Sequence, residues 1–197
     1  MVISLAVEGA SDAAIMRRIC AVAGIAVGAE FVARGKGNLD PRIPGYNNAA
    51  RFAPWLVVRD LDHDADCAPT LLGQLLPDRA PGMCFRVPVR SIEAWLLGDR
   101  TGFSKFFGVS AGVLNLDPDA LPRPKRTVVD LARRSTKRVI REGMVPVAGT
   151  SVEVGPDYTA LLVEFAGTVW DPEAASERSD SLYRCLRALR RMAEPER

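Results

Sequence analysis

The sequence contains few of the residues from which zinc sites and redox centres are built. It has one histidine, His63, and four scattered cysteines, Cys20, Cys67, Cys84 and Cys185. No two cysteines have the C-x-x-C spacing, and one imidazole does not complete a Cys/His ligand set, so a structural zinc site is not expected. Scattered cysteines of this kind are typical of packing thiols in a reducing compartment.

Long apolar runs and nucleotide-binding motifs are also missing. No run approaches the roughly 18 residues that a membrane span requires, and the N-terminus leads into a short apolar segment rather than a signal-peptide core, so we expect a cytoplasmic protein with no membrane partner. Lys36 lies between Gly35 and Gly37, but the spacing and the Lys-Ser/Thr ending of a P-loop are absent. This lysine could still contact a phosphate, or the segment could be a plain turn.

Short apolar segments alternate with helical patterns in the first half of the chain. Strands are predicted at 2–7, 25–32, 55–59 and 83–89, with helices at 11–23 and 68–76. The Gly- and Pro-rich residues 34–48 are predicted as a loop, with a short helix near 46–52. The alternation is typical of βαβ units and predicts an α/β fold with a mostly parallel, four-stranded sheet.

The second half of the sequence is predicted to be helical. The predicted helices cover about 91–98, 101–108, 124–141, 157–170 and 179–193. Residues 143–156 are predicted as a loop or a small hairpin. We therefore divide the chain into an α/β core, residues 1–100, and a helical extension, residues 101–197, packed on that core.

Acidic residues follow three of the predicted strands. Glu8 follows the first, Asp60 and Asp62 follow the third, and Glu93 follows the fourth. Because ligands of parallel α/β sheets bind beyond the carboxyl ends of the strands, we expect these acids to converge there. Clustered carboxylates repel one another unless a divalent cation lies among them. The pattern predicts a Mg²⁺ or Mn²⁺ site with the ligands Glu8, Asp12, Asp60, Asp62 and Glu93.

Some of these acids also have a purely structural explanation. Asp12 could complement the dipole of a helix that is capped by Ser11, and Glu93 could lie in the first turn of a helix capped by Ser91. Neither explanation covers Glu8, which stands at the end of a strand. The Asp60-x-Asp62 pair shares one face of an extended segment, an arrangement that suits two-metal phosphoryl chemistry.

Basic residues are concentrated between positions 123 and 141, where Asp130 is the only acid. One helix over 124–141 would present a basic outer face, which is either solvated or in contact with nucleic acid. Lys125, at its entrance, is a separate candidate for stabilising charge on a scissile phosphate. The residues predicted to contact nucleic acid are Lys36, Arg126, Arg133, Arg134, Lys137 and Arg138.

Two segments resemble the TOPRIM domain of topoisomerases, primases and OLD-family nucleases. They are Val7-Glu8-Gly9-Ala10-Ser11-Asp12, which is similar to the OLD-type form, and Asp60-Leu61-Asp62. The resemblance covers residues 1–100 well and 101–130 thinly, and small bacterial TOPRIM-like proteins carry the same elements. It implies a Rossmann-like TOPRIM core.

The resemblance also implies roles for individual residues and a partner. Glu8, Asp60 and Asp62 would be catalytic, Glu93 would match the later acidic motif, and Lys125 would match the distal lysine. OLD-type proteins carry an ATPase domain on the same chain; the present sequence has no Walker motif, so a separately encoded ATPase is the implied partner. An oligomer is compatible with this arrangement.

Three functions follow from these patterns. The preferred one is a metal-dependent nuclease that hydrolyses phosphodiester bonds of DNA or RNA with one or two Mg²⁺ or Mn²⁺ ions. The second is a phosphatase or nucleotidyl-transfer enzyme, although the nucleophilic Asp-x-Asp motif of the haloacid dehalogenase type follows the first strand rather than the third. The third is a non-catalytic regulatory subunit whose metal site binds a partner or nucleic acid without cutting it.

Overall fold

The computed structural model describes residues 1–194, and a parallel β-sheet lies at its centre. The strands are Val2–Val7 (β1), Ala26–Val32 (β2), Trp55–Val58 (β3) and Met83–Arg86 (β4), in the order β2-β1-β3-β4. Every neighbouring pair is parallel. The predicted α/β class and parallel four-stranded sheet are confirmed. Because Ala6 pairs with Val57, the central strands β1 and β3 end at the same edge of the sheet.

Helices make up most of the remaining described chain. They are Ala10–Val22 (α1), Lys36–Leu39 (α2), Ile43–Ala49 (α3), Ala68–Leu75 (α4), Glu93–Gly98 (α5), Arg100–Phe107 (α6), Pro124–Arg133 (α7), Arg138–Met144 (α8), Tyr158–Thr168 (α9), Pro172–Ser176 (α10) and Asp180–Ala193 (α11). Short 3-10 turns cover Asp40–Arg42, Ala111–Leu114 and Pro118–Ala120. Between residues 1 and 194, none of these helices has the length and apolar character needed to cross a membrane.

The loop predicted over residues 34–48 is wrong, because α2, a 3-10 turn and most of α3 occupy it. Pro41 and Pro44 lie in the first positions of their helical segments, where the missing N–H leaves no helical hydrogen bond unmade. Residues 145–157 contain no strand, so the hairpin alternative for that region is also wrong.

The single helix predicted over 124–141 is wrong as well, because residues 134–137 separate α7 from α8. The hydroxyl of Ser135 donates to the carbonyl of Phe107 at 2.5 Å and accepts from the backbone N–H of Lys137 at 2.9 Å. The second bond takes up the N–H of Lys137, which a continuous helix would pair with the carbonyl of Arg133. The basic residues of this region therefore do not form one continuous helical face.

Two hydrophobic clusters cover the two faces of the sheet. Leu5 and Leu56 belong to the larger cluster, whereas their neighbours Ala6 and Val57 belong to the smaller one, as alternation along a strand requires. The larger cluster includes buried residues of α1, α5 and α6 and of the later helices α7 to α11. Helix α9 packs directly against α1. The helical residues after position 100 thus share a hydrophobic core with the sheet.

Candidate functional site

Glu8 and Asp60 meet at the adjacent ends of β1 and β3. The backbone N–H of Asp60 donates to Glu8 Oε1 at 3.1 Å. Asp60 Oδ1 accepts from the backbone N–H of Ile92 at 3.0 Å, which connects the end of β3 to the segment before α5. The structure therefore brings together two acids that are far apart in the sequence.

Asp12 is held in the first turn of α1. Its Oδ2 accepts from the backbone N–H of Gly9 at 2.8 Å, and its Oδ1 accepts from the hydroxyl of Ser11 at 3.2 Å. Burial raises the pKa of Asp12, and the charge of Glu93 raises it further. Asp12 thus stabilises the start of the helix and also faces the other acids.

Glu93 is the most buried of the predicted ligands, with 4% of its surface exposed. It accepts from the hydroxyl of Ser91 at 2.6 Å and from that of Tyr158 at 3.1 Å. Lys125 Nζ lies 3.9 Å from Glu93 Oε1, and the charge of Glu93 raises the pKa of this lysine. Lys125, which the sequence analysis gave as a candidate for stabilising charge on a phosphate, therefore lies beside one of the predicted metal ligands.

The pKa values of the acids indicate that they share one poorly hydrated volume. Burial raises the pKa of Glu8 from 4.5 to about 7, and the charges of Asp12 and Asp62 contribute. Burial raises the pKa of Asp60 far above its ordinary value, and the charges of Asp12, Glu93 and Glu8 add to this. A buried group of like charges is costly to ionise unless a cation is present. We call Glu8, Asp12, Asp60 and Glu93 the carboxylate cluster.

Asp62 is held at the side of the carboxylate cluster by Lys36. Lys36 Nζ donates to Asp62 Oδ2 at 2.9 Å and to both oxygens of Asp64 at 2.8 Å. The backbone of Asp62 has a φ of 48°, a conformation that is uncommon for a residue with a side chain, and its N–H donates to the carbonyl of Arg90 at 2.7 Å. Lys36 therefore lies next to the site, where it neutralises two acids of the Asp60–Asp66 loop.

Arg59 is a site residue that the sequence argument missed. Only 2% of its side chain is exposed, and its Nε lies 3.0 Å from Asp40 Oδ1 and 3.7 Å from Glu8 Oε1. It also donates to Asp64. A buried charge needs such partners. The one sequence feature that could have identified Arg59 is its position between a buried strand and an acidic loop.

The present side-chain positions do not complete a metal site. Within residues 1–194, no three or more His, Cys, Asp and Glu side chains surround a common metal position. Backbone N–H groups hold one oxygen each of Glu8 and Asp60, whereas Glu8 Oε2 and Asp60 Oδ2 accept no hydrogen bond from the described chain. The donors are all carboxylate oxygens, the chemistry that Mg²⁺ and Mn²⁺ prefer. To complete a metal site, the side chains of further ligands would have to rotate towards a metal position next to these two oxygens.

A cavity of about 650 Å³ opens beside the carboxylate cluster. Its lining includes Asp60 and Asp62 and also the only histidine, His63. Within the part of the chain that the structure describes, four cationic side chains line it as well: Arg90, Arg123, Lys125 and Arg126. Arg123, which also lines the cavity, begins the basic segment 123–141 of the sequence, whereas nothing in the local sequence of Arg90 or Glu153 marks these two lining residues. The cavity combines acids that suit a cation with cations that suit an anion.

The exposed arginines of α7 and α8 are mostly paired with acids, both Arg126 at the cavity and the two outer basic residues, Arg133 and Arg138. Arg126 and Arg133 lie 3.1 Å and 3.5 Å from oxygens of Asp130, and Arg138 lies 2.7 Å from Glu142. Exposed pairs of this kind contribute little to stability and can exchange their acid for a phosphate. These ion pairs do not test the predicted contact with nucleic acid, which stays a prediction.

Lys137 has a structural role in addition to the predicted one. Its Nζ donates to the carbonyls of Lys105 and Phe106 at 3.0 Å and 2.8 Å, in the last turn of α6. A cation at this end of a helix interacts favourably with the helix dipole. Arg134 is exposed in the segment between α7 and α8.

Comparisons of the chain with protein-family models, with curated proteins and with solved structures found no match. The resemblance to TOPRIM domains therefore stays a prediction, carried by the two acidic motifs. The carboxylate cluster and the cavity beside it are the structural features that indicate a function.

Proposed function

We propose that this protein is a divalent-metal-dependent hydrolase of phosphodiester bonds in nucleic acid. The observation that carries the proposal is the convergence of the carboxylate cluster with a cavity lined by four Lys and Arg side chains. Metal-assisted phosphoryl chemistry needs two components: acids that bind a metal cation, and cationic side chains nearby that bind the phosphate.

The acids at the ends of β1 and β3 would hold the cation. Glu8 and Asp60, each with one oxygen free of internal hydrogen bonds, would be joined by Asp12 or Glu93. A bound Mg²⁺ or Mn²⁺ would supply Lewis acidity and a water of lowered pKa. In its absence the pKa of about 7 leaves Glu8 partly protonated near neutral pH, and burial raises the pKa of Asp60 as well.

Lys125 would act on the substrate from its position beside Glu93. The charge of Glu93 raises its pKa, so the side chain keeps its positive charge while it lines the cavity. A fixed ammonium group beside a phosphate stabilises negative charge that develops in the transition state.

A non-catalytic module that binds nucleic acid or a partner, such as a separate ATPase, is the second candidate. The observation in its favour is that no three possible ligands in residues 1–194 surround one metal position. In this case the acids would serve the fold, through bonds such as that from the backbone of Ile92 to Asp60.

A cleavage assay separates the two candidates. Labelled single- and double-stranded DNA and RNA are incubated with Mg²⁺, with Mn²⁺ or with EDTA. Asp60→Asn keeps an acceptor for the Ile92 N–H but removes the charge, and Asp78→Asn, whose carboxylate is 90% exposed, is the matched control. We expect metal-dependent cleavage by the parent and by Asp78→Asn, and at least about a hundredfold loss in Asp60→Asn.

Two outcomes would contradict the nuclease proposal. Equal cleavage by Asp60→Asn would show that the carboxylate cluster is not the active site. No cleavage by a folded parent with either Mg²⁺ or Mn²⁺ would favour the non-catalytic module.

A further inference from the structure

We infer that the cavity beside the carboxylate cluster takes an unpaired strand of nucleic acid and holds it by its phosphates. This inference rests on the proposed function, because it names the substrate of that same site. It is carried by the charges that line the cavity, by the dimensions of the cavity, and by the kinds of side chain that are missing from its lining.

The charges come from two separate parts of the chain. Arg90 belongs to the segment between β4 and α5, and its Nη1 donates to the carbonyl of Asp62 at 2.9 Å, which fixes the guanidinium at the cavity. Arg123, Lys125 and Arg126 crowd three positive charges into four residues at the start of α7, whose first turn contains no acid. Lys125 and Arg126 each face one acid, Glu93 at 3.9 Å and Asp130 at 3.1 Å. A phosphate in the cavity would add an anion that all three cationic side chains can share.

The dimensions of the cavity favour one strand over two. Its volume of about 650 Å³ lies within the range of ligand pockets. A cube of that volume has an edge of roughly 9 Å, less than the roughly 12 Å width of the major groove of B-DNA alone. A duplex therefore does not fit inside it, whereas one flexible strand can enter and bring a phosphodiester bond to Asp60.

The lining indicates which part of the strand is recognised. None of the described lining residues is a Phe, Tyr or Trp, and His63 supplies the single aromatic ring on which an unpaired base could stack. Because the described lining has four cationic side chains and one such ring, recognition would depend mainly on phosphates. Such binding is largely independent of sequence and weakens steeply with salt.

The first test compares strands in the absence of metal. Fluorescence anisotropy in EDTA measures the affinity of the intact protein for short single-stranded DNA, for single-stranded RNA and for duplex DNA of the same sequence. We expect both single strands, or one of them, to bind at least about tenfold more tightly than the duplex at equal salt. Equal or tighter binding of the duplex would overturn the inference.

The second test locates the strand with three variants that each remove two positive charges. Arg123→Ala/Arg126→Ala acts on the cavity, Arg133→Ala/Arg138→Ala acts on the outer basic residues, and Arg187→Ala/Arg191→Ala is the control on exposed positions of α11. The cavity variant should bind single strands at least about tenfold less tightly, with a log–log salt slope shallower by up to about 1.4, or 0.7 for each lost contact. The control should bind as the parent does.

A loss in Arg133→Ala/Arg138→Ala as large as that in the cavity variant would place the strand on the outer surface and overturn the inference. Far-ultraviolet circular dichroism checks the fold of each variant. If the alanine variant of the cavity does not fold, Arg123→Glu and Arg126→Glu as single variants replace it, and unchanged salt slopes in both would equally overturn the inference.

The two proposals fail in different ways. A protein that prefers single strands in EDTA but cuts nothing with Mg²⁺ or Mn²⁺ would contradict the nuclease proposal and leave the inference intact. A protein that cuts nucleic acid but shows no preference for single strands would contradict the inference alone.

Discussion

The raised pKa of Glu8 predicts that the metal-free protein loses stability as the pH increases. The side chain is 16% exposed, and burial is the main cause of the rise from 4.5 to about 7. Between these two values the folded state binds more protons at Glu8 than the unfolded state does, so the free energy of unfolding falls as the pH rises. The pKa values of Asp12 and Asp60 are raised as well, so these acids act in the same direction.

Glu8→Gln isolates this contribution, because glutamine resembles the protonated acid and keeps an acceptor for the Asp60 N–H. The rise from 4.5 to about 7 corresponds to about 3 kcal/mol at pH values above both. The variant should therefore be more stable than the parent by up to about 3 kcal/mol at alkaline pH and equally stable well below pH 4.5. For a chain of this size, that difference raises the melting temperature by about 6–12 °C.

Thermal and urea unfolding in EDTA, across the acid-to-alkaline range, measure the effect. Glu142→Gln is the control, because its carboxylate is 63% exposed and its change should stay within about 0.5 kcal/mol at every pH. A Glu8→Gln variant that is less stable than the parent at alkaline pH would refute the reasoning. It would mean that the ion pair with Arg59 outweighs the burial of the charge.

Two further predictions concern the fold. Leu162 lies in α9, which packs against α1, and Leu162→Ala should lower the free energy of unfolding by about 2–5 kcal/mol. Urea unfolding of this variant should show a single transition. Two separate transitions would show that the sheet and the later helices unfold independently. Lys137→Ala removes two hydrogen bonds to the last turn of α6 and should cost about 0.5–1 kcal/mol in thermal unfolding. An unchanged melting temperature in Lys137→Ala would mean that these bonds are replaced by water.

The sheet was predictable because its strands are short apolar runs that end at turn-forming or charged residues. The bounds predicted for β1, residues 2–7, are those observed, since Glu8 and Gly9 interrupt the run at once. The break between α7 and α8 was harder to foresee. Ser135 makes its decisive hydrogen bond to Phe107, 28 positions earlier, and residues so far apart show no pattern in the sequence.

In the candidate site, too, some residues could be predicted from the sequence and others could not. Glu8 and Asp60 could be paired from the sequence, because parallel neighbouring strands place their carboxyl ends at one edge. The burial of Arg59, which links Glu8 to Asp40, depends on packing that the sequence does not display. Arg90 and Glu153 reach the cavity from loops, whose paths depend on tertiary contacts.

Titration of Mn²⁺ into the metal-free protein tests the central claim most directly. The paramagnetic resonance signal of free Mn²⁺ is followed at a pH above the pKa of Glu8, for the parent, for Asp60→Asn and for the control Asp78→Asn. The account predicts that the parent and Asp78→Asn bind Mn²⁺ and that Asp60→Asn binds it at least about tenfold more weakly, since a carboxylate ligand of the carboxylate cluster is lost. Equal Mn²⁺ binding by all three proteins, or none by the parent, would contradict it.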